Sequence, residues 1–163
     1  MNRFSVEAAD PRDPELDLLF ARHSEFCHAD TPPESMHMMD RADLAAPGIR
    51  FLILRGEEAP LAMGALKSLG DGTVELKSMH VLEEARASGA ARHMLGALID
   101  AARGMGATAI CLETGAQPSF APARAFYGRA GFAACGPFGS YDEDPMSLFM
   151  RLEISAKGEA LSG

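Results

Sequence analysis

The bend Arg86-Ala87-Ser88-Gly89-Ala90-Ala91 is the clearest place in this chain to hold an anion. An alternating segment, Glu75-Leu76-Lys77-Ser78-Met79-His80-Val81, runs into it, and an amphipathic helical pattern runs out of it to Leu95 and beyond. A helix N-terminus presents unpaired backbone N–H groups and the positive end of its dipole. Small side chains let an anion approach that backbone closely. The pattern therefore predicts the diphosphate seat of a cofactor. Other constellations carry less chemistry. His23 and Cys27 stand at i, i+4 on one helical face with His28 beside them, but no second cluster completes four metal ligands, so no metal is expected. Ser24 and Ser35 have no His–Asp partner pattern, and Gly-x-Ser-x-Gly is absent. Asp142-Glu143-Asp144 reads as a solvated loop or as an acidic rim for a cationic amine. Met36, Met38 and Met39 suit the core or an adaptable apolar pocket lining.

The elements that must position the bend follow from periodicity. Arg3 to Ala8 reads as a strand, and Asp13 caps a helix from Pro14 to about His28, with Leu16, Leu19, Phe20, His23 and Cys27 along one stripe. Asp30 to Ser35 breaks it, and Met36 to Leu44 reads as a second short helix. Ile49 to Leu54, Leu61 to Leu69 and Thr73 to Val81 are expected as three strands of an antiparallel meander, joined through Gly56 to Pro60 and the hairpin signal Gly70-Asp71-Gly72. Ala91, Met94, Leu95, Leu98, Ile99 and Ala102 form the strongest helical stripe, ended by Gly104 and Gly106. Ala107 to Leu112 is an unbroken small and apolar run, as for a strand covered on both faces. A loop from Thr114 to Phe120, a helix from Pro122 to Gly131, and strands at Phe132 to Cys135 and Ser147 to Ile154 complete the order, with a loose tail over 156–163. The expectation is one α/β domain over 1–155, in which a helix between two strands makes part of an otherwise antiparallel sheet parallel. The change in pairing character is where a ligand would sit.

Bulk properties exclude several classes. At 163 residues, 47% hydrophobic and 23% charged, the chain can bury a real core. A formal net charge of −8 argues against a nucleic-acid partner and means that a polyanionic cofactor must be held by local geometry. Cys27, Cys111 and Cys135 are odd in number and widely spaced, which fits free thiols in a reducing cytoplasm. The first residues, Met1 to Glu7, lack an apolar signal core, and no apolar run approaches the ~20 residues of a membrane helix.

The bend fits the (Gln/Arg)-x-x-Gly-x-(Gly/Ala) pattern, and a second block, Ala125-Phe126-Tyr127-Gly128-Arg129-Ala130-Gly131-Phe132, follows in the right order. Together these resemble the GCN5-related N-acetyltransferases (GNAT). Leu112 to Gly115, Pro137 to Tyr141, Asp144 to Met150 and Pro32 to Ser35 further resemble the bacterial YsnE-like subgroup. The resemblance implies the GNAT fold, a mixed antiparallel/parallel sheet of about seven strands flanked by about four helices. It implies direct transfer of an acetyl group from acetyl-CoA to a primary amine of a small molecule, with a homodimer allowed.

The resemblance also implies residue roles. Backbone amides of the loop Arg86, Ala87, Ser88, Gly89, Ala90, Ala91 and Arg92 would hold the pyrophosphate, and Met79, His80 and Val81 would present backbone to the pantetheine arm, with the amide of Val81 or a neighbour as oxyanion donor. Tyr127 would protonate the leaving thiolate. An alkyl ammonium, with a pKa of about 10.4, must lose a proton before it attacks, and either Glu75 or Glu113 is placed to take it. Relatives carry Arg-Gly where Ala87-Ser88 stand and Asn where Phe120 stands, so Phe120 would close the cleft with apolar surface instead. His80 alternates with Met79 and Val81 and reads as a surface or packing residue. Two rivals remain. One is a non-catalytic acyl-CoA-binding module on the same fold. The other is a dinucleotide oxidoreductase, for which Gly-x-Gly-x-x-Gly after the first strand is missing.

Overall fold

The computed structural model describes residues 4–29, 31–32 and 40–154. The expectations for Met36, Met38, Met39, the Pro33 to Ser35 stretch and the 156–163 tail lie outside them. Seven strands form one sheet: β1 (Ser5–Ala8), β2 (Ile49–Arg55), β3 (Pro60–Ser68), β4 (Thr73–Val81), β5 (Ala109–Gly115), β6 (Ala133–Cys135) and β7 (Ser147–Glu153). Among the described residues the α-helices are α1 (Asp17–Ala29), α2 (Arg41–Leu44), α3 (Ala90–Gly104) and α4 (Ala121–Arg129). The strand order is β1-β2-β3-β4-β5-β7-β6. Every neighbouring pair is antiparallel except β4 and β5, which α3 joins in parallel. The expected meander and crossover are both present.

Two layers of apolar side chains sandwich this sheet. On one face Leu52, Leu54, Ala62, Leu66, Val74, Leu76, Ile110 and Leu112 pack against Met94, Leu95 and Leu98 of α3 and Tyr127 of α4. On the other, Phe51, Ile53, Met63 and Ala65 pack against Leu16, Leu19 and Leu44 from the α1 and α2 side. Strict alternation along β2 and β3 supplies both layers.

Alternation fails once, in β4. Met63 pairs with His80 and Ala65 with Lys77, so Ser78 and Met79 together face Gly64. This is a β-bulge, and Ser78 takes a left-handed φ of 56° there. The extra residue shifts the parity of the strand. Val74 and Leu76 join the α3 face before the bulge, and Met79 and Val81 join it after. The opposite face consequently carries Glu75, Lys77 and then His80.

The second irregularity is the end of the parallel ladder. β4 pairs with β5 only from Thr73–Ala109 to Leu76–Leu112. Beyond that point β5 continues to Gly115 on β7, and β4 continues to Val81 on β3. The strand is thus longer than the Ala107 to Leu112 run suggested, because β7 satisfies its backbone where β4 departs. The two strands part, and the sheet opens at its middle.

Candidate active site

A cavity of about 410 Å³ occupies this opening. Ser78 to Val81 form one wall and Leu112 to Gly115 the other. Helix α1 contributes His23, Phe26 and Cys27, the start of α4 contributes Phe120 and Ala123, and Tyr127 closes the floor. Glu75 and Glu113 both line it, as neighbouring parallel strands allow. Glu113 lies inside β5, not at its end, opposite Phe149, and its carboxylate accepts from the Ser147 hydroxyl at 2.8 Å.

Glu75 is 5% exposed. Its Oε2 accepts from Tyr141 OH at 2.5 Å and from Lys77 Nζ at 3.2 Å, and Lys77 Nζ also donates to Tyr141 OH at 2.8 Å. Lys77 shares the face of Glu75 because it lies two residues on, before the bulge. Tyr141 arrives from the segment between β6 and β7, where its ring meets those of Phe138 and Phe149 at 5.2 and 5.5 Å. Burial first, then the bond to Glu75, pushes the Tyr141 phenol up, so it stays a donor.

Tyr127 is buried between Phe126 and Phe132, each 5.5 Å away between ring centroids. Burial raises its phenol and holds it neutral, the form that can give a proton. His80 is buried, not on the surface, and packs against His23 at 5.2 Å and Phe26 at 6.5 Å. Burial pushes His23 down to about 4. Burial, followed by His23, Arg86 and Arg22, pushes His80 down to about 3. Cys27 is pushed up to about 11 by burial and then by Glu113, so it stands as a thiol. His23 Nδ1 lies 3.9 Å from Cys27 Sγ. Among the described residues, no three His, Cys, Asp or Glu side chains gather as metal ligands.

The anion-seat bend contains more structure than expected. A 3-10 helix, Glu83–Ser88, precedes Gly89, and α3 begins at Ala90. The Ser88 hydroxyl turns back to donate to Ala85 O at 2.5 Å, so no side chain caps α3. His93 N–H bonds Gly89 O, and Ala90 is fully buried, which leaves the amides of Ala91 and Arg92 as the accessible first-turn donors. Gly89 has φ 89°, and a Cβ there would meet open space. These features fit an anion such as a diphosphate: accessible amides at Ala91 and Arg92, no capping side chain, and open space at Gly89. Ala87 and Arg92 are exposed beside the turn.

Arg86 reaches back to donate from Nε to Val81 O at 3.2 Å, with its guanidinium 5.8 Å from the Phe26 ring. Leu82 N–H bonds Leu61 O across β3. Strand donors alternate sides, so the Val81 N–H points away from β3, toward the opened edge. An extended pantetheine arm could pair along that edge. Phe120 packs edge-on to Phe26 at 5.0 Å and forms apolar wall. Directly beneath it, Gly115 has no room for a side chain: a Cβ would stand 2.4 Å from the Phe120 ring.

Sequence reasoning missed Lys77 and Tyr141 as site residues. The spacing from Glu75 to Lys77 was a signal for the first. Tyr141 offered none beyond its place in the Pro137 to Tyr141 block, because its reach to Glu75 crosses the whole C-terminal half.

Residues 16–132 match the model of the acetyltransferase (GNAT) family. A protein of Azospirillum brasilense named IAA acetyltransferase is 42% identical over 120 residues, covering 73% of this chain and 77% of its own. The uncharacterized N-acetyltransferase YsnE of Bacillus subtilis is 38% identical over 124 residues, covering 76% and 82%. A solved acetyltransferase of the GNAT family from Staphylococcus aureus Mu50 superposes with a TM-score of 0.71 over 93% of this chain and 99% of that one, at 17% identity.

Proposed function

The chain belongs to the acetyltransferase (GNAT) family and is an acetyl-CoA-dependent acetyltransferase, and on that premise we propose that it acetylates a primary amine of a small molecule by direct attack within a ternary complex. The observation that carries this reading is that Glu75 and Tyr127 line one cavity at the parting of β4 and β5. One is a carboxylate that can take a proton, and the other is a phenol held neutral that can give one.

Residues 86–92 hold the diphosphate through the first-turn amides of α3, and Met79 to Val81 pair with the pantetheine arm. Glu75 takes one proton from the acceptor ammonium. The neutral nitrogen then forms the C–N bond at the thioester carbon, and the Val81 amide donates to the oxygen on which charge develops. As the C–S bond breaks, Tyr127 protonates the sulfur. The nitrogen sheds a second proton, which restores Tyr127 through water, and Glu75 returns its proton to solvent. Glu113 is the alternative base. Its bond to Ser147 and its position beside Cys27 favour instead a role in shaping the acceptor pocket. Cys27 and Cys111, both raised as thiols, do not suit a covalent acyl intermediate, which supports direct transfer. The acceptor half is formed by α1 and the Tyr141 segment, where Phe26, Phe120 and Met146 suit a compact amine with apolar substance. The three free thiols support work in a reducing compartment such as the cytoplasm.

Thiol release from acetyl-CoA with a panel of primary amines tests this. Tyr127→Phe and Glu75→Gln should each lose roughly 10²-fold or more in kcat while acetyl-CoA still binds. Release at background rates by the wild type, with the cofactor bound, would leave only the non-catalytic acyl-CoA-binding reading.

A further inference from the structure

Both hydrogen bonds to Glu75 fall on a single oxygen. Oε2 accepts from Lys77 Nζ and from Tyr141 OH. Oε1 has no partner among the described residues, and protein does not enclose it. Since Glu75 lines the cavity, Oε1 is the oxygen left to meet what binds there. The Lys77–Tyr141 bond closes the three groups into a ring, so none can turn without breaking two contacts. The ring is also braced from outside. Lys77 Nζ lies 5.4 Å from the Tyr141 ring centroid, and Phe138 and Phe149 flank that ring.

We propose that Lys77 and Tyr141 are positioning residues for the acetyl transfer: by saturating Oε2 they fix the Glu75 carboxylate with Oε1 toward the acceptor ammonium. This rests on the reading of Glu75 as the proton acceptor. An N–H bond of the ammonium breaks, its electron pair stays on nitrogen, and the proton forms an O–H bond at Oε1. The products are a neutral amine and a neutral carboxyl group. Lys77 and Tyr141 keep their own protons throughout. A buried carboxylate with one side satisfied and one side open has a single orientation available for accepting, which is the geometry that general-base catalysis needs. Tyr141 couples this to the acceptor side. It belongs to the segment between β6 and β7, so the strand that carries the base and the segment that borders the acceptor pocket are tied at one atom.

The test uses the full chain, acetyl-CoA, and the best acceptor from the amine panel. Steady-state thiol release is measured for wild type, Glu75→Gln, Tyr141→Phe, Lys77→Met, Lys77→Arg and the double variant Glu75→Gln/Tyr141→Phe. Thermal melting and acetyl-CoA calorimetry are run on each. Tyr141→Phe and Lys77→Met should lower kcat at least tenfold, with KM for acetyl-CoA within twofold of wild type. Lys77→Arg should recover part of the loss that Lys77→Met causes. The double variant should be no slower than Glu75→Gln alone, because positioning has no value once the base is gone. Wild-type kcat in Tyr141→Phe, or a double variant slowed by the full product of the two single effects, overturns the proposal. Tyr141→Phe removes one oxygen and keeps the ring packing, so the test survives a misfolded Lys77→Met. A Glu75→Gln variant at wild-type rate removes Glu75 as base and this inference with it. A wild type that binds acetyl-CoA but acetylates no amine removes the enzymatic reading as well.

Discussion

The imidazole of His80 on β4 packs 5.2 Å, between ring centroids, from the imidazole of His23 on α1, joining helix α1 to the opened sheet. The bulge at Ser78 makes the contact. Without the extra residue His80 would point toward α3.

The pair makes stability depend on pH in a defined direction. In the unfolded chain both rings titrate near 6.5. In the fold they take a proton only at about 4 for His23 and about 3 for His80. Between those values the unfolded state binds more protons, so stability rises with pH, is fully present above about 6.5 and is lost as pH falls. We expect wild type to lose several kcal/mol, with about 6 kcal/mol as the upper bound, from this pair between about pH 7 and pH 4. His80→Gln should show a shallower fall. Urea midpoints of both proteins across that range decide it, and parallel curves would show that the pair contributes nothing.

Ser78 is the described non-glycine residue that adopts a positive φ, 56°. Glycine relieves that conformation and a β-branched side chain worsens it. Ser78→Gly should match wild type in urea midpoint within about 1 kcal/mol and keep its thiol-release rate. Ser78→Val should cost about 1–3 kcal/mol. It should also lower kcat, since straightening β4 would move Lys77 and His80 relative to one another. A Ser78→Val variant as stable and active as wild type would show that the bulge does not depend on this residue.

Gly89 sits at φ 89° with open space where a Cβ would project. The cost of Gly89→Ala is therefore conformational, about 1–2 kcal/mol. If the first turn of α3 is the diphosphate seat, the same change should raise KM for acetyl-CoA severalfold and leave kcat near wild type. Equal KM values would place the diphosphate elsewhere.

Much of this was legible in the chain. The i, i+3, i+4 stripe of α3 fixes which face is buried, and the alternation of β2 and β3 supplies two apolar layers from one strand pair. The Gly70-Asp71-Gly72 hairpin and the crossover through α3 then leave little freedom in topology. Glu75, Glu113 and Tyr127 fall within one cavity because their elements are neighbours, and neighbours follow from connectivity.

The remainder depended on where backbone groups find partners. Ser78 carries no sequence mark of a left-handed residue, since glycine or asparagine would be the usual sign. Its bulge is imposed by the pairing of β4 against Gly64, whose missing side chain leaves the space that Leu98 and Met79 approach. The parity of His80 was therefore unreadable from alternation. Local pattern by itself determined the strands, the helices and the family. Only the tertiary structure decided that β5 leaves β4 for β7, that His80 turns to α1, and that Tyr141 closes on Glu75 and Lys77. Those three outcomes are competitions between distant partners for one hydrogen-bonding edge or one buried charge, and no local stretch contains both competitors.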